Sequence, residues 1–128
     1  MRKTINTNKA PAAIGPYEQA NIYENLVFTS GQIPLDPESG NIVGSNVEQQ
    51  AHQVFKNMGE ILKASGAEFE TVLKTTVFIK NMDDFTKINE VYAQYFAGEM
   101  LPSRSAVEVA RLPKDVLIEA EAIAYRRP

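Results

Sequence analysis

Two helical stripes and several short runs of strand-forming residues divide the chain. Across residues 46–64 the apolar positions Val47, Ala51, Val54, Phe55, Met58, Ile61 and Leu62 recur at steps of three and four. That spacing predicts an amphipathic helix, with Ser45 or Asn46 as N-cap and Gly66 as its C-terminal stop. A second stripe runs through Phe85, Ile88, Val91, Tyr92, Tyr95 and Phe96, opened by capping residues at 81–84 and ended by Gly98. Residues 18–23 and 26–30 read as a hairpin about Glu24-Asn25, after a short first strand at 2–6. TVLKTTVFI, residues 71–79, is apolar on both faces apart from Lys74, the pattern of a central buried strand. Residues 104–109 alternate as another strand, 111–115 turn the chain, and 116–125 form the last strand.

The element order places each helix between two strands. Such crossovers are right-handed, and two that move the same way along a sheet put both helices on one face. The other face is left uncovered, yet the last strand carries Leu117 and Ile123 there, beside Glu119 and Glu121. An uncovered apolar sheet predicts a homo-oligomer, with the subunit junction as the place for buried charge.

Composition narrows the function. The 128 residues fit a single domain spanning 1–128, and 44% hydrophobic with 23% charged residues is an ordinary globular balance. A net charge of −3, with no basic run beyond Arg126-Arg127, argues against a broad grip on nucleic acid. No cysteine and one histidine exclude disulfides, thiolate metal sites and a cysteine nucleophile, and argue against a histidine-rich metal site. No segment reaches the ~20 apolar residues of a membrane span, and the first fifteen residues have no signal-peptide core. The expectation is a cytoplasmic protein without metal or cofactor.

The candidate chemistry lies mainly in the last quarter. Arg104 follows Pro102, and Glu119 and Glu121 interrupt an apolar strand, where charge costs several kcal/mol unless it is partnered. A structural ion pair between Arg104 and Glu119 across a subunit interface and a chemical site both account for that pattern. The Pro- and Gly-rich loop at 10–17 delivers Tyr17, which either packs or points into a site. Gly31, directly after a strand, is either a simple bend or a close backbone approach to a ligand. Asn89 falls beside the second apolar stripe, as a binding donor or a solvent-facing amide. His52, with no sequence-local partner, reads as a solvated or second-layer side chain.

APAAIGPY (10–17), TSGQIP (29–34), KTTVFI (74–79) and PSRSAVEVARLPKD (102–115) followed by IEAEAIA resemble the RidA/YjgF family of reactive-intermediate deaminases nearly end to end. The resemblance implies an α+β, chorismate-mutase-like fold: a mixed β-sheet with two helices on one face and the final strand inside the sheet, antiparallel to its neighbours. It also implies a homotrimer with a barrel-like centre and sites in clefts between subunits. The implied reaction is hydrolysis of enamines and imines, such as 2-aminoacrylate/2-iminopropanoate and 2-iminobutanoate, to 2-keto acids and ammonia. On this resemblance Arg104 binds the substrate carboxylate and Glu119 directs the water. Tyr17, Ser30, Asn89 and the Gly31 and Ala106 N–H groups line the pocket, and Pro113 with Tyr17 and a neighbouring subunit sets its size. Glu121 is assigned to structure or the interface. Many members have cysteine where this chain has Ala106, so no thiol chemistry is expected there. Two other readings are a non-catalytic trimer that binds a small carboxylate, and a ribonuclease or translation inhibitor; the negative charge and absence of a basic–aromatic stripe argue against the second.

Overall fold

The computed structural model describes residues 1–128, with six strands and two α-helices. They are β1 (Arg2–Ile5), β2 (Ala20–Tyr23), β3 (Leu26–Thr29), α1 (Val47–Ala64), β4 (Val72–Ile79), α2 (Phe85–Tyr95), β5 (Ser103–Glu108) and β6 (Ile118–Tyr125). One sheet takes them in the order β1-β2-β3-β6-β4-β5. β6 lies between β3 and β4 and is antiparallel to both, whereas β4 and β5 are parallel. The last strand therefore completes the sheet from inside, and β4 is an interior strand as its apolar run requires.

Local chemistry sets most boundaries. The Asn46 side chain accepts the Gln49 N–H at 2.9 Å and starts α1. At its end Gly66 takes φ +81°, its N–H returns to the Lys63 carbonyl at 3.1 Å, and Ala67 N–H reaches Leu62 O at 2.9 Å. This is the left-handed stop that glycine makes at low cost. Gly98 does not end α2. The helix closes at Phe96 instead, whose N–H bonds Tyr92 O at 3.0 Å and whose backbone leaves the helical region so that its ring turns into the core. The last strand likewise begins two residues later than its pattern suggests, because the Leu117 N–H is held by the Gln50 side chain on α1 at 2.8 Å.

Both helices lie on one face. There Val77, Ile79, Ile118, Ala120, Ala122 and Ala124 are buried against the α1 residues Val54, Phe55, Met58, Ile61 and Leu62. The three alanines leave room for α1 to approach the sheet closely. On the opposite face the pairings Leu26↔Tyr125, Phe28↔Ile123, Thr76↔Glu121 and Phe78↔Glu119 put apolar rings and both glutamates side by side. Leu26, Phe28 and Tyr125 remain 38–41% exposed, with nothing in the chain above them. No helix is long and apolar enough to cross a membrane.

Candidate functional site

Glu119 stands on the uncovered face at the mouth of a pocket of about 550 Å³. Tyr17, Ser30, Gly31, Pro113 and Glu119 all line it, together with Ile14, Ile33 and Lys114. Gly31 is there for closeness rather than for a left-handed backbone. A Cβ at that position would overlap the Glu119 carboxylate, lying 2.9 Å from its carboxyl carbon. The Gly31 N–H donates to no acceptor within the chain. Ser30 Oγ donates to Glu18 O, which leaves its lone pairs free. The Tyr17 hydroxyl accepts the Ile14 N–H at 3.4 Å, which leaves its own proton free. Pro113 opens a tight turn in which Lys114 and Asp115 both have positive φ, +55° and +56°, clamped by the Arg111–Asp115 pair at 2.8 Å.

Burial pushes the Glu119 carboxyl above its ordinary value, and the negative charge of Glu121 on the same strand face adds to the rise. No hydrogen bond or ion pair offsets either effect. Glu121 thus acts on Glu119 through its charge, besides any place at an interface.

Arg104 lies elsewhere. Its ladder partner Thr75 is buried on the helix side of β4, so the Arg104 side chain also rises on the helix side, at the sheet edge. Nη1 donates to Asn89 Oδ1 on α2 at 2.7 Å, and the guanidinium lies over the Phe85 and Tyr92 rings. It forms no ion pair. Ala106, on the same edge strand, pairs with Val77. Val109 N–H bonds inward to Ile79 O, so strict alternation along β5 turns the Ala106 N–H outward to the unpaired edge. The expected residues therefore fall into two groups in one chain. Tyr17, Ser30, Gly31, Pro113 and Glu119 form one; Arg104, Asn89 and Ala106 form the other, on the far side of the sheet. The Arg104–Glu119 ion pair does not form within a chain.

Sequence reasoning missed the side chains that hold the first group in place. Gln19, 2% exposed, accepts the Thr7 N–H at 2.7 Å and donates to Thr7 O at 3.0 Å and Pro11 O at 2.8 Å, which fastens the loop that carries Tyr17. Asn57, 1% exposed, donates to Ile33 O and Leu35 O at 3.2 and 3.0 Å and fixes the segment after Gly31. A signal existed for Asn57, as for the Gln50 that holds Leu117 before β6. Gln50 and Asn57 alternate with Val47, Val54 and Ile61 at helical spacing, so polar amides sit within the inward stripe of α1. His52 is half-buried and bonds the Tyr95 hydroxyl at 2.9 Å through Nδ1, away from both groups.

The family model described as Endoribonuclease L-PSP matches residues 7–126. A 2-iminobutanoate/2-iminopropanoate deaminase of Mus musculus is 51% identical over 128 residues, covering 100% of this chain and 94% of its own. A RutC family protein of Pyrococcus horikoshii is 54% identical over 126 residues, 98% of this chain and 99% of its own. Among solved structures, E. coli TdcF with bound serine superposes with a TM-score of 0.92 at 48% identity, covering 98% of this chain and 99% of that one. The E. coli YjgF gene product does so at 0.92 and 49%, with the same coverage. Fold, end-to-end identity and motif positions agree, and the chain belongs to the RidA/YjgF family, the Endoribonuclease L-PSP family of the matching model.

Proposed function

We propose that the protein hydrolyses short-lived 2-imino acids and their enamine tautomers to 2-keto acids and ammonia, in sites completed by a second copy of the chain within a homotrimer. The observation that carries this reading is the separation of two unpartnered charges: a Glu119 carboxyl lining a pocket, and an Arg104 guanidinium at the opposite side of the sheet. Neither has a counter-ion in its own chain; a junction between copies brings the two to one cleft, where the substrate carboxylate becomes the partner of Arg104. The deaminase activity named for the Mus musculus relative, at 51% identity, supports the reaction class.

The chemistry follows from the groups available. Arg104 offers a forked set of donors to the substrate carboxylate, a charge-assisted contact worth about 1.5–3 kcal/mol. Ionised Glu119 holds a water and accepts its proton as the oxygen attacks the imine carbon, giving a carbinolamine. The same proton passes from Glu119 to nitrogen and completes the neutral carbinolamine; Glu119 then takes the carbinolamine's hydroxyl proton and delivers it to the amino group as the C–N bond breaks, so that ammonia leaves and the carbonyl forms. A carboxyl raised towards neutrality suits both halves of that exchange. The free Tyr17 proton and the Gly31 N–H are donors for the developing oxyanion, and the Ser30 lone pairs accept from the imine N–H.

The test generates 2-aminoacrylate in situ from serine with a PLP-dependent dehydratase and follows pyruvate release. The protein is expected to accelerate release, and Arg104→Ala to abolish the effect with the assembly intact. Full activity in Arg104→Ala overturns the assignment. Saturable 2-keto-acid binding without acceleration replaces it with a non-catalytic carboxylate sensor.

A further inference from the structure

Arg104 and Asn89 account for one hydrogen bond, yet an arginine side chain carries about 2 kcal/mol of rotamer entropy. One contact leaves the guanidinium free to swing, so something else must fix its plane. Its Cζ lies 4.7 Å from the centroid of the Tyr92 ring and 5.2 Å from that of Phe85. The Tyr92 ring is set deep in the core rather than carried on the surface. It is 8% exposed, stacks on Phe96 at 4.4 Å and meets Phe55 edge-on at 5.6 Å. Its hydroxyl shares a 2.7 Å hydrogen bond with Thr75 Oγ1 on β4. Thr75 is also the ladder partner of Arg104. Backbone pairing, ring and hydroxyl thereby close a loop: β4 carries Thr75, Thr75 holds Tyr92, and Tyr92 lies beneath the side chain of the strand paired to β4.

We propose that Tyr92 is a positioning residue whose ring forms the floor of the carboxylate site, holding the Arg104 guanidinium flat with its free edge turned outward. This rests on the carboxylate-gripping role proposed above for Arg104. A pre-set fork loses less freedom when it binds, so the ring contributes to affinity without touching substrate. Burial raises the phenol above its ordinary value, against the lowering effects of the Thr75 hydrogen bond and the nearby Arg104 charge. Because the carboxylate is present in both ground and transition states, the effect belongs to binding rather than to turnover.

Two measurements test this. The first is the Kd for 2-oxobutanoate, with KM and kcat for the in situ imine, in wild type, Tyr92→Leu and Tyr92→Phe. Tyr92→Leu is expected to raise Kd and KM about 2- to 30-fold, the range of a lost cation–π contact, with kcat changed far less. Tyr92→Phe keeps the ring and is expected to recover most of that loss. The second is NMR of the wild-type protein: the Arg104 Nε–H is expected upfield of the other arginines, with cross-relaxation to the Tyr92 ring protons. The NMR result decides the matter even if Tyr92→Leu fails to fold or the protein proves not to be a deaminase. Absence of the Arg104–Tyr92 contact overturns the proposal. So does a folded Tyr92→Leu with unchanged Kd, or a Tyr92→Phe as impaired as Tyr92→Leu. A wild type that binds 2-oxobutanoate in a Tyr92-dependent way but accelerates nothing supports the floor and overturns only the deaminase reading.

Discussion

A methyl group at position 31 has nowhere to go, because the Glu119 carboxylate already fills the space a Cβ would need. Gly31→Ala must displace either the carboxylate or the loop. It is expected to cost about 1–3 kcal/mol by overpacking and to remove most of the deaminase activity, read from a denaturant titration and the pyruvate assay on one preparation. Charge at neighbouring positions matters as well. Glu121 helps hold the Glu119 carboxyl high, so Glu121→Gln is expected to let Glu119 ionise at lower pH and shift the acid limb of kcat/KM downward, as a pH–rate profile would show. The linkage has a definite sign for the isolated chain. A carboxyl whose folded value is raised binds its proton more tightly folded than unfolded. Its contribution to stability is therefore full below the ordinary glutamate value of 4.5 and declines as the pH climbs through the raised one. Glu119→Gln should flatten that decline in monomer unfolding curves.

At the level of elements, α1 holds the pocket wall as well as covering the sheet. Asn57 ties the backbone after Gly31 to the helix, and Gln50 ties Leu117 just before β6. Asn57→Leu removes one of two donors from each of the Ile33 and Leu35 carbonyls, which keep Leu35 N–H and Gln53 Nε2 respectively, and is expected to cost about 0.5–1.5 kcal/mol per lost hydrogen bond, with faster hydrogen exchange in residues 31–35 as the local readout. The helices were legible in the sequence because their signals are local: a 3–4 spacing, an asparagine cap, and at α1 a glycine stop. The end of α2 was not, since Phe96 leaves the helix for burial in a core that no window of sequence displays. Strand existence was legible too, but the pattern alone does not say that β6 inserts between β3 and β4; that came from the family resemblance. The two faces of the site depend on pairing parity. Arg104 turns to the helix side because it pairs with Thr75, and Glu119 to the open side because it pairs with Phe78, facts of register with no local signature.

For the molecule as a whole, the open face is the dominant feature, with Leu26, Phe28 and Tyr125 unprotected around two glutamates. The proposed site uses Arg104 from one copy and Glu119 from its neighbour, so two inactive variants should repair each other. Mixing Arg104→Ala with Glu119→Gln chains, after dissociation and reassembly, is expected to restore activity at roughly a quarter of the junctions, those that pair intact Arg104 with intact Glu119. No recovery would mean that both groups act from one chain, which the placement of Arg104 on β5 and Glu119 on β6 disfavours. The same division also governs how the rate depends on the amount of protein. If the site is completed between copies as proposed, a lone chain carries both charges but no finished cleft, and the catalyst is a product of association that obeys mass action. Below the assembly constant the rate should fall more steeply than the protein concentration, with an apparent reaction order in protein above one. Dilution alone would then switch the activity off, with every chain still folded.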